Sequence, residues 1–497
     1  MKTAHTPKRK LLLSIVLLLL AVCLSGVNCV LLPKYYVTGD WPTTSTYLDF
    51  YNLEQDTVDV LFLGSSHAAA AFSPVELYET FGIRSYNLGC EQQNLLLSYY
   101  WLQEALRFQK PKVVFLDTFM LFPYDENSAL NTSEPTTRKA VDFMKWSGVK
   151  FQAVRDICRI DENQTFTSYL FPNERFHTRW KGLSENDFRV GKMSEHATMF
   201  GFFPIDFACN SEEYQPFEED GVTEYAQMVP VMREYLDRLI ELCREEGIRP
   251  VLVKTPSMLY PREAYNAVSA YAYENDIEYL DFNEEEVYHQ AGLVFAQDSC
   301  DTDHVNVSGA IKVTDYIGRW LGNLVPVEQQ DEQWEKAVSF YHHYRKDTCL
   351  QRETDAVSYL SKLQDENYSI LIASQGDGLV RLSPKVTEGL QALGLHPERV
   401  EETGDGYLAV IDCGRVLAEE SGFDTMTRCG TIRDGIVSFR ITAVGASQGG
   451  TGSILLDSWE TSHKNNGWNL TVYCKERKKI IDEICLTSED GEVVIVR

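Results

Sequence analysis

An acyl-transfer centre needs a hydroxyl nucleophile, an imidazole base and a carboxylate that orients the base. This chain carries a candidate for each. Ser66 stands in Val58-Asp-Val-Leu-Phe-Leu-Gly-Ser-Ser-His67, where an apolar run stops at Gly64-Ser65-Ser66 and the small residues Ala68 to Ala71 follow. Asp301 and His304 stand three apart in Ser299-Cys-Asp-Thr-Asp-His304-Val-Asn306, close enough in a turn for the carboxylate to orient the imidazole. A strand that ends in Gly-Ser-Ser and turns into helix places a hydroxyl and the turn's N–H groups at the carboxyl edge of a sheet. Open α/β folds hold their ligands at that edge. Each segment alone also has an ordinary structural meaning, as a capped strand–helix turn and as a histidine near a helix start. Their order carries the chemical reading, because a Gly-x-Ser after the first strand and an Asp-x-x-His before the last helix can converge there.

The elements that must position them follow from hydrophobic patterning. Apolar runs at 58–63, 83–88, 112–117, 250–254 and 278–281 read as strands, and 75–80, 95–108, 225–246, 262–275 and 308–321 have helical spacing. This βαβ rhythm predicts an α/β fold: a parallel sheet with helices on both faces. An insertion, 123–222, is long for a compact fold and is expected to cover the site or act in it. Its Phe176-His177-Thr178-Arg179-Trp180 cluster could contact a sugar or an acyl donor, or simply anchor a loop.

The net charge of −27 argues against a nucleic-acid partner, which calls for a basic face. Lys8-Arg9-Lys10 precede an uncharged run, 11–32. At roughly 1.5 Å per residue this run spans a hydrocarbon core of about 30 Å. The flanking bases place 1–10 in the cytoplasm and the rest of the chain outside the cell membrane, with 33–55 as a stalk. A cleaved signal peptide is the rival reading, but Ser25-Gly26-Val27 makes a poor cleavage site, so an uncleaved single-pass anchor is expected. None of the twelve cysteines has metal-ligand spacing. No P-loop or evident Mg²⁺-binding carboxylate motif is present, which sets aside a phosphoryl-transfer enzyme; neither a metal nor another cofactor is expected. Most cysteines read as buried thiols, with Cys413, Cys429, Cys474 and Cys485 the best placed to pair. After a charged helical connector, 326–360, short strands around one helix predict a β-rich α+β module over 361–497.

Over 56–323 the chain resembles the SGNH (GDSL-like) hydrolase superfamily, a flavodoxin-like three-layer fold, and the domain is expected to run over 56–325. Gly64-Ser65-Ser66 corresponds to the block that carries the nucleophile, Asn87-Leu-Gly89 to a block whose glycine N–H lines the oxyanion hole, and Asp301-x-x-His304 to the final block. The resemblance implies a Ser66–His304–Asp301 triad with oxyanion donors from Ser66 and Gly89. It is similar to membrane-anchored members such as the DltD-like and alginate O-acetylation proteins, which act on envelope polymers. The chain departs from the family pattern after 113–117, where Asp117-Thr118 stands in place of a Gly-x-Asn-Asp block. The missing asparagine donor is then expected from Asn94 or from the insertion. Further expected substrate contacts are His67, His177, Arg179, Trp180, Asp303 and Asn306, with Asp303 an alternative orienting acid. The implied function is an esterase or O-acyltransferase on a cell-envelope or extracellular glycan, served by a membrane-bound acyltransferase. The alternative is a non-catalytic carbohydrate-binding or polysaccharide-assembly protein. From 368 onward, Gln375-Gly-Asp377, Gln391-Ala-Leu-Gly-Leu395 and Asn466-Gly-Trp-Asn-Leu-Thr-Val-Tyr473 resemble the ILEI/PANDER-type lectin-like domain, which implies carbohydrate or partner binding.

Overall fold

The computed structural model describes residues 7–32, 44–183, 185–188, 198–208, 214, 216–217, 221–325, 331–375, 383–400, 405–445, 452–489 and 492–497. Most of the expected cytoplasmic tail, much of the stalk, parts of the insertion and connector, and Gly376-Asp377 lie outside the described residues. The chain divides into two units, Met1–Val338 and Ser339–Arg497.

In the first unit, β1 (Val60–Leu63), β2 (Ser85–Asn87), β3 (Val113–Asp117), β4 (Arg249–Lys254) and β5 (Glu278–Asp281) form one sheet. Its order is β2-β1-β3-β4-β5, and every neighbouring pair is parallel. Every residue of β1 and β3 is buried, as a sheet covered on both faces requires. Leu61, Leu63, Val114, Leu116 and Leu252 share a core with Trp101, Tyr235 and Leu239 from the helices Leu95–Ala105 and Pro230–Glu245. The helix expected over 225–246 starts only at Pro230. Proline suits the first helical position, whose N–H has no intrahelical acceptor. Trp334, in the expected connector, is buried and stacks on Phe200 at 3.8 Å between ring centroids.

Near the N-terminus, α1 (Pro7–Leu31) contains the one helix among the described residues that is long and apolar enough to cross a membrane, Lys10–Leu31, with mean hydropathy 2.6.

The second unit holds a six-stranded and a four-stranded sheet. The six-stranded sheet comprises β6 (Tyr368–Gln375), β7 (Gly406–Asp412), β8 (Arg415–Gly422), β13 (Gly467–Cys474), β14 (Lys479–Glu489) and β15 (Glu492–Val496). The four-stranded sheet comprises β9 (Met426–Ile432), β10 (Val437–Ala443), β11 (Ser453–Leu456) and β12 (Trp459–Glu460). Leu371, Leu408, Ile432, Phe439 and Ile441 join the two sheets in one core. Sequence reading misses β8, β9, β12 and β14: β8, β9 and β12 are sheet edges, β9 and β12 largely exposed, while β14 is an inner strand whose apolar residues are interrupted by Asp482 and Glu483. Trp468 is buried in β13 and stacks on Tyr407 at 4.3 Å, so its ring is core and offers no face to a sugar. Cys413, Cys429, Cys474 and Cys485, expected as the best candidates for pairing, are free thiols. Strand register accounts for part of this: in the β13–β14 pair Cys485 lies opposite Asn469, while Cys474 lies opposite Lys479.

Candidate active site

Each parallel strand delivers a polar group to the carboxyl edge: Asn87 from β2, the Gly64-Ser65 turn after β1, Asp117 from β3, Lys254 from β4 and Asp281 from β5. Gly64 has φ +152°, and a Cβ there would run into the Asp117 side chain, so the turn requires glycine. Ser65 caps the short helix α2 (Ser66–Ala71) by accepting from the His67 N–H. The Ser65 N–H donates to Asp117 Oδ2 at 3.0 Å, and the Ser65 hydroxyl donates to the same oxygen. Asp117 thereby clamps the turn that presents Ser66. Nothing in the local sequence around 117 announces this role.

Ser66 Oγ lies 2.8 Å from His304 Nε2, although the two residues are 238 apart in the chain. On the other side of the ring, His304 Nδ1 lies 3.1 and 3.0 Å from the two Asp301 carboxylate oxygens. Asp301 Oδ1 also accepts the N–H groups of Asp303 and His304, both at 2.7 Å. The aspartate thus folds its own turn, in the manner of an Asx-turn, and brings the imidazole to its carboxylate. Burial of Asp301 opposes ionisation, but the bonds from the His304 ring and from these N–H groups outweigh it and hold the carboxyl below its usual range. The turn leads into α3 (Val307–Leu321).

A second His–Asp pair lies beside the first. His67 is buried, its ring centroid 4.8 Å from that of His304 and 4.0 Å from that of Phe119. Its Nε2 lies 3.2 Å from Asp303 Oδ2, and its Nδ1 faces Lys254 Nζ at 3.2 Å and Thr255 Oγ1 at 3.1 Å. An ammonium group only donates, so Nδ1 accepts and the ring proton sits on Nε2, directed at Asp303. Burial, then the Lys254 charge, lowers the His67 pKa to about 4, which leaves the ring neutral at physiological pH. Asp303 also accepts the Ser257 hydroxyl. Burial raises its pKa, yet His67, Lys254 and Ser257 together hold it well below the carboxylate range. Lys254 is fully buried, and burial lowers its pKa. Lys254, Thr255 and Ser257 escape sequence reading, although a lysine closing a buried strand is a usable signal.

Ligand atoms of His67, Asp303 and His304 lie within 4.8 Å of one another, close enough for a cation. The donor chemistry does not fit one. A metal-bound His67 Nε2 would shift the ring proton to Nδ1, against the Lys254 ammonium.

Several expected roles are corrected. His67 is a buried member of the network and cannot be a surface contact for substrate. Asn306 caps α3, its Oδ1 accepting from Ser308 at 2.9 Å and Gly309 at 3.1 Å, while its Nδ2 donates to the Gln297 carbonyl at 2.7 Å. The Gly89 N–H donates to Asn87 Oδ1 at 2.9 Å, which removes it as an oxyanion donor in this conformation. Asn94 caps the helix Leu95–Ala105 and donates to the Leu130 carbonyl, so it is not the missing donor either. The Ser66 N–H, first in α2, has no acceptor among the described residues. Arg179 donates to the Leu31 carbonyl at 2.8 Å and to Asp187 at 2.6 Å. His177 and Trp180 are exposed beside it.

Neither a protein-family model nor a curated protein matches the chain. Solved structures similar to it include the following two. Both are GDSL-like lipolytic proteins. One, assigned to the lipolytic G-D-S-L family, is from Desulfitobacterium hafniense DCB-2, at 12% identity and TM-score 0.26 over 53% of this chain and 98% of that one. The other, a GDSL-like lipase from Bacteroides thetaiotaomicron VPI-5482, is at 12% identity and TM-score 0.25 over 56% and 98%.

Proposed function

We propose that this chain is a membrane-anchored serine acyl-transfer enzyme, an esterase or O-acyltransferase working outside the cytoplasm on a cell-envelope or extracellular glycan. The single observation that carries the chemistry is the continuous hydrogen-bonded line from Ser66 Oγ through His304 to Asp301. Ser66 Oγ attacks an ester carbonyl while His304 Nε2 takes its proton. Asp301 holds the Nδ1–H and stabilises the imidazolium. The Ser66 N–H receives the developing oxyanion. The tetrahedral intermediate collapses as His304 gives that proton to the departing alcohol. The acyl-serine is then attacked by water or by a sugar hydroxyl, whose proton the neutral His304 accepts, and His304 returns a proton to Ser66 as the acyl group leaves. The membrane anchor rests on α1, and a membrane-bound acyltransferase is the donor such a relay would use. The glycan acceptor and a carbohydrate-binding role for the second unit extend from the sequence resemblances.

The engaged Gly89 N–H and Asn94 amide favour a second reading, a glycan-binding protein that retains the hydrolase fold without turnover. Loss of one oxyanion donor typically costs about 10²–10³ in turnover. Labelling of the full chain with a serine-reactive fluorophosphonate separates the readings. Label on the wild type and none on Ser66→Ala supports the enzyme. No label on either, with acetyl esters untouched, hands the case to the binding protein.

A further inference from the structure

The segment that holds the end of α1 presents large aromatic side chains to solvent. The last carbonyls of a helix have no intrahelical donor and carry the negative end of its dipole, so a cation is favoured there. Arg179 supplies it, donating to the Leu31 carbonyl at 2.8 Å while its other amino group pairs with buried Asp187. Leu31 is itself buried, whereas Lys10–Leu31 is otherwise largely exposed. The helix therefore ends in the grip of this segment. Directly after each partner of the Arg179–Asp187 pair in the chain comes an exposed ring: Trp180 is 65% exposed and Phe188 62%.

We propose that Trp180 and Phe188 form a footing that sits in the outer interfacial layer of the membrane and seats the first unit on the lipid surface. The inference rests on α1 being a membrane anchor and adds a second contact to it. A span of 22 residues is about 33 Å long, close to the hydrocarbon thickness, so its end lies at the headgroup boundary. Residues bound to that end lie at the same depth. Tryptophan is enriched at this depth because its ring is apolar and its N–H is polar. The lipid surface is the one occupant argued for, since each exposed ring is the chain neighbour of a residue in the pair that holds the end of the span.

The test reconstitutes the full chain, and separately Trp180→Phe, in phosphatidylcholine vesicles with or without bromine near the headgroup end of the acyl chains. Trp180 is exposed, so phenylalanine there leaves the fold intact, which circular dichroism checks. With the footing in place, brominated lipid quenches wild-type emission more than that of Trp180→Phe, and the difference spectrum is blue-shifted. Equal quenching of the two proteins, with both floating with the vesicles after an alkaline wash, overturns the footing and leaves the anchor standing. Failure of either protein to float overturns the anchor, and the footing with it.

Discussion

The Asp117 carboxylate receives both the N–H and the hydroxyl of Ser65, the residue before the candidate nucleophile. A group at the end of β3 thus holds the turn at the end of β1. Leaving a buried donor without its acceptor costs about 1–3 kcal/mol. Asp117→Ala is therefore expected to lower stability by about that amount and to slow fluorophosphonate labelling of Ser66. Thermal unfolding and labelling rate measured together check this; an unchanged rate in a destabilised protein would mean that the clamp serves folding alone.

Gly64 meets Asp117 in the same contact. Gly64→Ala adds a clash to a backbone conformation that side chains rarely adopt, at a cost of roughly 1–3 kcal/mol for the backbone alone. The expected outcome is a sharp fall in melting temperature or loss of soluble protein. A variant as stable as the wild type would show that the turn relaxes freely.

Asp301→Asn keeps the shape but lets an amide face the ring, which favours the wrong imidazole tautomer. Asp301 is half exposed, so water offsets part of the loss, and turnover of an acetyl ester should fall by roughly 10²–10⁴. Steady-state kinetics decides. A decrease smaller than threefold would reassign the orienting carboxylate, with Asp303→Asn as the next variant.

His67 makes stability pH-dependent. Its pKa falls on folding, from the ordinary 6.5 to about 4, so its contribution is present above 6.5 and is lost as pH falls through 4. A fall of that size corresponds to about 3 kcal/mol between pH 7 and pH 4. Asp49, which burial pushes up to about 7, works in the opposite sense over this range, losing its contribution as pH rises. The readout is therefore the difference between wild type and His67→Gln in denaturant unfolding at pH 7, 5.5 and 4. That difference should shrink toward acid, and a constant one argues against a buried neutral ring.

Asn306→Ala removes the cap of α3 and should cost about 1–2 kcal/mol. KM for a small ester should stay unchanged, since the side chain is committed to backbone groups. A raised KM at unchanged stability would return Asn306 to substrate binding.

Local interactions account for what was legible in advance. Apolar runs separated by helical spacing determined the five strands of the parallel sheet and their principal helices. The Asp301–His304 pairing was legible because it closes within one turn, and the membrane-spanning length of 11–32 is a property of composition alone. Tertiary structure alone decided the rest. It placed Asp117 against Ser65 across 52 residues and His67 against Asp303 across 236, and it engaged the Gly89 N–H with Asn87. It also turned Arg179 from an expected ligand contact into the partner of a helix end 148 residues away. These contacts depend on which strand ends lie side by side and which N–H groups are already satisfied, and neither quantity is carried by hydrophobic period or motif spacing.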